Sequence, residues 1–441
     1  MIKGEKTFCP IPWIFQAVRS NGDIRVCCQA NVTPNKGVVR KEDGTAYNAG
    51  VDDLSEARNA QLMKDIRKNM LSSKWNAECG RCMQEEENNL TSRRQYERVQ
   101  WKFSIIDALK TTKPDGSIDV EKSPTQYYDL RFGNFCNLKC RMCGPSDSNA
   151  WFEDWIKLTG KSSFNDTSGE ITIEEVNGKL CAADFDWPNS EMFWIQLERN
   201  IQNMEHVYFA GGEPMLIERH YEFLQKCIDS GYAKNIMLEY NTNGTTLPPR
   251  VVKLWTQFKE VRLGVSVDGM EQVLEYQRYP VKWNKVLKNL NTIDKLPNNI
   301  KAWLAFTVTA YNVEHMIEFM KWKIKESGFE KINSSSIKPI LTHHVAHNPP
   351  HLNIRVLPDK YKDRITQKFE NFVQWCKDES LEQKYIIAAQ GIKNGVCNYM
   401  NSDSYYNTHW NEFVEYTKNL DKIRNESIEQ TVPELGKFIN V

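Results

Sequence analysis

The sequence predicts a mixed α/β protein, a partial β/α barrel with a small cysteine-rich N-terminal domain and a helical C-terminal region. Three observations lead there. From residue 127 strand-like and helix-like runs alternate, polar and glycine-rich residues follow consecutive strands at one end, and beyond about residue 358 helix-like runs continue without strands. Strands alternating with crossover helices imply a parallel sheet.

The strand candidates are YYDLRF (127–132), HVYFA (206–210), NIMLEY (235–240), VRLGVSV (261–267), WLAFTVT (303–309) and a weaker IKPILT (337–342). Amphipathic runs such as ERHYEFLQKCID and VVKLWTQF lie between them. About six such units over 127–345 fit a partial (β/α)6 TIM-like barrel rather than a full eight-fold one. Ahead of it, 1–100 is the cysteine-rich domain, and 101–126, with KTTKPDGSIDVEKSPTQ, is a polar linker. In the first domain, Leu62, Ile66 and Met70 recur at helical spacing and predict a helix over 54–70. The C-terminal extension is 346–441. An insertion at about 161–195 separates the first barrel helix from the second strand, as a lid or an ornament.

Composition excludes some classes. Lys+Arg and Asp+Glu both total 57 in 441 residues, so no whole-chain charge favours nucleic acid or an anionic membrane. The start, MIKGEKTFCPIPW, lacks the apolar core of a secretory signal, and no run nears the roughly 18 apolar residues that span a bilayer. The expectation is a soluble, cytoplasmic protein with no membrane or nucleic-acid partner.

Twelve cysteines in such a chain point to metal or redox chemistry, because disulfides are disfavoured in a reducing cytosol. Cys9, Cys27, Cys28, Cys79 and Cys82 form one group, and Cys136, Cys140 and Cys143 another. Cys181, Cys227, Cys376 and Cys397 stand alone; Cys227 and Cys376 sit in helix-like, partly apolar runs and read as small core residues. Cys136-x3-Cys140-x2-Cys143 brings three thiolates into one loop, whereas a [4Fe–4S] cluster has four ligand positions. One iron would stay open to an outside ligand. The same spacing also occurs in partial zinc sites.

Position adds to spacing. The first strand runs into GNFCNLKCRMCG, the second into Gly211-Gly212-Glu213-Pro214, the third into Asn241-Thr242-Asn243-Gly244, and the fourth ends Ser266-Val267-Asp268-Gly269. In β/α barrels the chemistry gathers at this carboxyl end. Each piece alone has a plainer reading: GGEP as a turn with Pro opening a helix, SVDG as a strand end with an Asp-Gly turn, Arg278 as a surface residue. Together, CNLKCRMC, GGEP, NTNG and SVDG resemble the radical S-adenosylmethionine (SAM) superfamily over 127 to about 345.

That resemblance implies a [4Fe–4S] cluster on Cys136, Cys140 and Cys143, whose open iron chelates SAM. It implies reductive cleavage of SAM to a 5′-deoxyadenosyl radical that abstracts hydrogen from a substrate. Met142 would lie beside the adenine. Gly211, Gly212, Glu213 and Pro214 would lie near the SAM amino group, and Asn243, Ser266 and Asp268 near its ribose or methionine portion. Arg278, in YQRYP, would clamp the SAM carboxylate, as a guanidinium fork can.

The N-terminal group supports a second expectation. Ser20-Asn21-Gly22-Asp23 reads as a hairpin turn, whose return strand delivers Cys27. With Cys79-x2-Cys82 the pattern resembles the SPASM/twitch auxiliary-cluster module. Here it precedes the barrel, and the further cysteines of a full SPASM domain are absent. The resemblance implies a second, auxiliary [4Fe–4S] cluster on Cys9, Cys27, Cys79 and Cys82, with Cys28 a possible substitute for Cys27. Structural zinc on the same four thiolates is the alternative. The tract HHVAHNPPH, with His343, His344, His347 and His351, reads as a loop closing the barrel rather than a metal site.

The functional expectation is a radical SAM enzyme acting on a peptide or protein side chain, the auxiliary cluster assisting a net oxidation. A flavodoxin or ferredoxin would supply electrons. The alternatives are a dehydrogenase or epimerase of a small molecule, and a zinc-stabilised interaction protein without catalysis.

Overall fold

The computed structural model describes residues 4–30, 36–87, 91–166, 169–332 and 339–439. The chain divides into two compact units. One comprises Met1–Cys136, Ser162–Tyr240 and Pro249–Val261, the other Asn137–Lys161, Asn241–Pro248 and Arg262–Val441.

The strands of the first unit are β1 (Phe15–Val18), β2 (Ile24–Arg25), β3 (Tyr127–Phe132), β4 (Ser163–Asp166), β5 (Gly169–Thr172), β6 (Glu174–Val176), β7 (Lys179–Cys181), β8 (His206–Gly211) and β9 (Met237–Thr242). Five of them lie side by side in the order β9-β8-β3-β1-β2. β1, β3, β8 and β9 run parallel, and β2 turns back antiparallel to β1. The turn is the predicted one. Gly22, at φ +86°, closes it, and Ala17 and Val18 face Arg25 and Ile24. That β1 extends the sheet beside β3 was not foreseen. The insertion holds two hairpins, β4-β5 and β6-β7.

Successive residues of a strand point to opposite faces. On β3 this puts Tyr128, Leu130 and Phe132 on one side and Tyr127, Asp129 and Arg131 on the other. The first side is apolar core. Phe132 lies 5.4 Å from both Phe209 and Trp194, and Phe209 lies 5.0 Å from Tyr240. Helices Glu191–Arg199 and Glu218–Asp229 cover this face with Trp194, His220 and Phe223.

The predicted helix over 54–70 is two helices, Leu54–Ala57 and Gln61–Leu71. The break has a cause. The fully buried Arg67 guanidinium donates to the carbonyls of Arg58, Pro12 and Gly116 at 2.7–2.9 Å, so the Arg58 carbonyl does not continue the helix. The polar stretch 101–126 carries the helix Ile105–Thr111, and Thr112 accepts a bond from the Trp13 indole at 2.8 Å.

The second unit adds β10 (Glu260–Ser266), β11 (Ile300–Val308) and β12 (Thr342–Val345), in the order β10-β11-β12. Of the weak sixth strand expected over 337–342, β12 includes Thr342; Ile337 and Lys338 lie outside the described residues. His343 and His344, expected in a loop, pair with Phe306 and Thr307 across β11 and β12. The prolines act only after the strand ends. Beyond it come the helices Asp359–Asp378, Gln383–Asn401, Tyr406–Arg424 and Pro433–Ile439. Tyr361, Ile365, Phe369, Phe372 and Cys376 form the buried stripe of the first, at amphipathic spacing. Cys227 and Cys376 are fully buried, as expected of core residues.

The parallel strands with intervening helices give the mixed α/β, partial TIM-like arrangement with a helical C-terminal region. No closed barrel forms among the described residues. No described helix is long and apolar enough to cross a membrane.

Phe209→Ala removes a ring from the centre of the first unit's core and should cost about 3–5 kcal/mol. Val99→Ala, at a side chain 82% exposed, should stay within about 0.5 kcal/mol. Denaturant melts of the two variants check this.

Candidate functional site

The loop after β3 is held by glycines. Gly211, at φ +106°, ends β8, and the Gly212 amide donates to the Gly133 carbonyl at 3.1 Å. The Glu213 amide donates to the Phe135 carbonyl at 2.8 Å. A Cβ on Gly212 would fall 2.2 Å from that carbonyl oxygen, so only glycine permits the approach. The buried Glu213 carboxylate caps the turn Pro214–Leu216 by accepting from the Met215 amide at 3.1 Å. The predicted Gly-Gly-Glu-Pro element is thus fastened to residues 133–135, immediately before Cys136.

In the second unit the cysteine loop lies along Gln277–Tyr279. The Lys139 amide donates to the Tyr279 carbonyl and the Arg141 amide to the Gln277 carbonyl, both at 2.8 Å. This brings Arg278 onto Cys140, its guanidinium 3.9 Å from the sulfur. Cys140 is buried, and its thiol is held below the usual range by the hydrogen bond from Cys143 and then by Arg278. Arg278 also forms a 2.6 Å ion pair with Asp268, which accepts from the Thr307 amide at 2.7 Å. Both are buried, so Arg278 is no surface residue. Two predicted SAM contacts therefore pair with each other. Asn243 donates to Asn137 at 3.0 Å and accepts from the Thr245 amide at 2.9 Å. Met142 and Ser266, the last residue of β10, are half-buried.

Sequence reasoning missed what braces this loop. Arg141, inside the cysteine motif, is completely buried. Its guanidinium lies 3.4 Å from the Tyr276 ring centre, 2.5 Å from Asp421 and 2.8 Å from Glu426. Tyr416 donates to the Arg141 carbonyl at 2.9 Å, and Arg424 bonds Asp154 at 2.8 Å, which in turn holds Lys139 at 2.6 Å. Four of these groups come from the helix Tyr406–Arg424 and the turn after it.

The second cysteine group lies wholly in the first unit. Pro10 and Pro12 bend the chain through the short helix Ile11–Ile14 between Cys9 and β1. Cys27 follows β2. Cys79 ends a 3-10 turn, and Cys82 sits in the first turn of the helix Gly80–Glu87. Cys9, Cys27, Cys79 and Cys82 all line one cavity of about 40 Å³, with Arg93 and Arg94. Cys28 does not line it. Burial raises the Cys9 thiol well above its usual range and the Cys79 thiol to about 12. Among the described residues no three His, Cys, Asp or Glu side chains meet closely enough for a single metal ion.

The space fits a group larger than one ion. The cavity exceeds the roughly 10–15 Å³ that admits a single water, and all four cysteines are among its lining residues. A zinc ion sits about 2.3 Å from every sulfur at once, whereas an iron–sulfur cluster takes each thiolate on its own corner. Arg93 and Arg94 at the cavity are paired with Glu97 and Glu86, each at 2.5 Å, and Glu78 lines the cavity with them.

Arg141→Met would leave Asp421 and Glu426 buried without their cation, which should cost about 3–5 kcal/mol. The variant should melt lower and lose iron selectively from the Cys136–Cys143 loop. Melting curves with iron counts check both.

Residues 130–322 match the family model described as the Radical SAM superfamily. No curated protein sequence matches the chain. Among solved structures the chain is similar to SuiB of Streptococcus suis, at 13% identity over 80% of this chain and 69% of that one, with a TM-score of 0.34. Against SuiB bound to S-adenosylmethionine the values are 16%, 70%, 64% and 0.30. Against SuiB bound to precursor peptide SuiA they are 13%, 82%, 71% and 0.32. These superpositions are too partial to carry a substrate over. The family match, on a segment whose cysteine loop and glycine clamp have the arrangement described above, identifies residues 130–322 as a radical SAM domain.

Proposed function

We propose that this protein is a radical SAM enzyme that abstracts hydrogen from a peptide or protein side chain, aided by a second iron–sulfur site in a net oxidation. Cys136, Cys140 and Cys143 would hold the SAM-binding [4Fe–4S] cluster. Gly211, Gly212, Glu213, Pro214, Asn243, Ser266, Asp268, Arg278 and Met142 would contact SAM. Cys9, Cys27, Cys79 and Cys82 would hold the auxiliary cluster, and a flavodoxin or ferredoxin would supply electrons. Bound together and given one electron by that donor, cluster and SAM would supply a 5′-deoxyadenosyl radical with release of methionine, the hydrogen-abstracting chemistry that the family resemblance implies.

The chain's own residues support this reading in three ways. Arg278 sets a fixed positive charge 3.9 Å from the Cys140 sulfur, which favours the thiolate as a metal ligand. Gly212 lets backbone groups approach the cysteine loop where any side chain would block them. Asp268 holds the Arg278 guanidinium in one orientation through a pair buried from water, where charge interactions are strong.

The observation that carries the proposal is the four-thiol cavity in the same chain as the radical SAM domain. Family members with such auxiliary modules often act on peptides, which supports the substrate class. Structural zinc is the competing occupant.

Anaerobically reconstituted protein should be brown and hold about eight irons, two [4Fe–4S] clusters. A Cys79→Ala/Cys82→Ala double variant should hold about four while keeping the SAM-binding cluster. Stoichiometric zinc in the wild type, lost in the double variant, would overturn the auxiliary-cluster assignment.

A further inference from the structure

The histidine tract has no part in the reading above, yet the strand register sets one of its imidazoles at the working end of the second unit's sheet. β10, β11 and β12 carry two unlike faces. On one, Val265, Leu304, Phe306 and Val308 are buried, and Phe306 lies 5.7 Å from Phe319 of the helix Met316–Lys325. A Cβ on Gly264 would fall 3.0 Å from the Trp303 ring, so Gly264 and Trp303 share the other face. Side chains alternate along a strand, so Ser266, Ala305 and Thr307 share it too. Across β11 and β12, Thr342 stands beside Ala305 and His344 beside Thr307. Ser266, Ala305, Thr307 and Thr342 are half-buried, and His344 is exposed.

Of the four histidines, only His344 stands on that open face. His343, beside Phe306, turns to the core side, where a Cβ on Gly395 would come 3.7 Å from its Nε2. His351 is buried, its Nδ1 2.9 Å from the Glu412 carboxylate. His347 lies beyond the strand, its ring centre 5.6 Å from that of His344 and its Nδ1 3.0 Å from the Tyr399 hydroxyl. The row that ends at His344 begins at the cysteine loop. The Thr307 amide donates to Asp268 at 2.7 Å, and Asp268 pairs with the same Arg278 that sits on Cys140. From β10 to β12 is two strand spacings of about 4.8 Å, or roughly 10 Å. All of these residues belong to one unit, at the carboxyl ends of its strands, where the chemistry of β/α folds gathers.

We infer that His344 is the proton acceptor of the proposed oxidation, and that the attacked substrate carbon carries a hydroxyl or thiol. A net oxidation removes two hydrogens, and the second leaves a heteroatom as a proton that a base must take. Imidazole is the side chain suited to gain and lose a proton near neutral pH. The substrate carbon gives a hydrogen atom to the deoxyadenosyl radical, forming 5′-deoxyadenosine. It then gives one electron to the oxidised auxiliary cluster. Its O–H or S–H proton passes to His344 as the C=O or C=S bond forms. The assignment rests on the enzymatic reading above and narrows its substrate to a side chain bearing O–H or S–H.

The probes are three acetylated, amidated peptides of sequence Gly-Gly-X-Gly-Gly, with Ser, Thr or Cys at X. Reduced holoprotein with SAM should shorten at least one of them by the mass of two hydrogens. Per 5′-deoxyadenosine released, His344→Gln should yield about a hundredfold less product, within the span of general-base catalysis. In His344→Ala, added imidazole should restore part of the yield, which a merely structural role would not allow. A second readout needs no turnover. On unreduced holoprotein, diethyl pyrocarbonate should modify His344 and spare His351, and a bound peptide at ten times its Kd should slow the reaction at His344 about tenfold. A product yield unchanged in His344→Gln, an absence of imidazole rescue, labelling of His344 that no peptide slows, or no product from a wild type that cleaves SAM would each overturn the inference. A wild type that releases no 5′-deoxyadenosine overturns the enzymatic reading instead, and the labelling arm then decides whether a peptide sits on His344.

Discussion

A buried cation fixes the cysteine loop. Arg141 stands between Cys140 and Cys143 and is wholly removed from water, so its position is set by what neutralises it. Asp421 and Glu426 supply the charge, Tyr276 a ring against its face, and the Tyr276 hydroxyl itself donates to Asp421 at 2.8 Å. An unpaired buried charge costs several kcal/mol, and a paired one has few alternative placements. The C-terminal helices are therefore part of the machinery that holds the cysteine motif. On the loop's other edge, Arg278 and Asp268 do the same for Cys140.

The cysteines sit in different electrostatic settings, and within the loop after β3 the hydrogen bond to Cys140 and burial push the Cys143 thiol well above its usual range. Cys140 has a hydrogen-bond donor and a guanidinium at its sulfur, both of which favour the thiolate. Cys9, Cys79 and Cys82 are dominated by burial, which disfavours the charged form. Loading a metal group there must expel protons, and the group's own positive charge has to offset the desolvation. The Arg94 guanidinium works against the burial at Cys79 and Cys82.

Much of this was legible in the sequence where the cause is local. β3 coincides with its predicted span and β8 runs one residue past it, because short runs rich in aromatic and apolar residues mark a strand. Asn21-Gly22 gave away the hairpin, and Cys136, Cys140 and Cys143 fall in one short loop. Long-range causes left no mark. The parallel pairing of β1 with β3 joins residues more than a hundred positions apart, and a four-residue run such as FQAV looks the same wherever it docks. Arg141 reads as one more charged residue in a loop, since its partner acids come 280 and 285 residues later. The break at 58–60 left no mark in the sequence because the Arg67 guanidinium that takes the Arg58 carbonyl comes nine residues later.

The central claim is that Cys136, Cys140 and Cys143 support reductive SAM chemistry. Anaerobic incubation of the reconstituted protein with SAM and a strong reductant tests it, with 5′-deoxyadenosine as the readout and Cys140→Ala as the control. Formation of 5′-deoxyadenosine by the wild type and not by Cys140→Ala is the predicted result. Equal amounts from both proteins, or none from a wild type carrying its full iron complement, would contradict it.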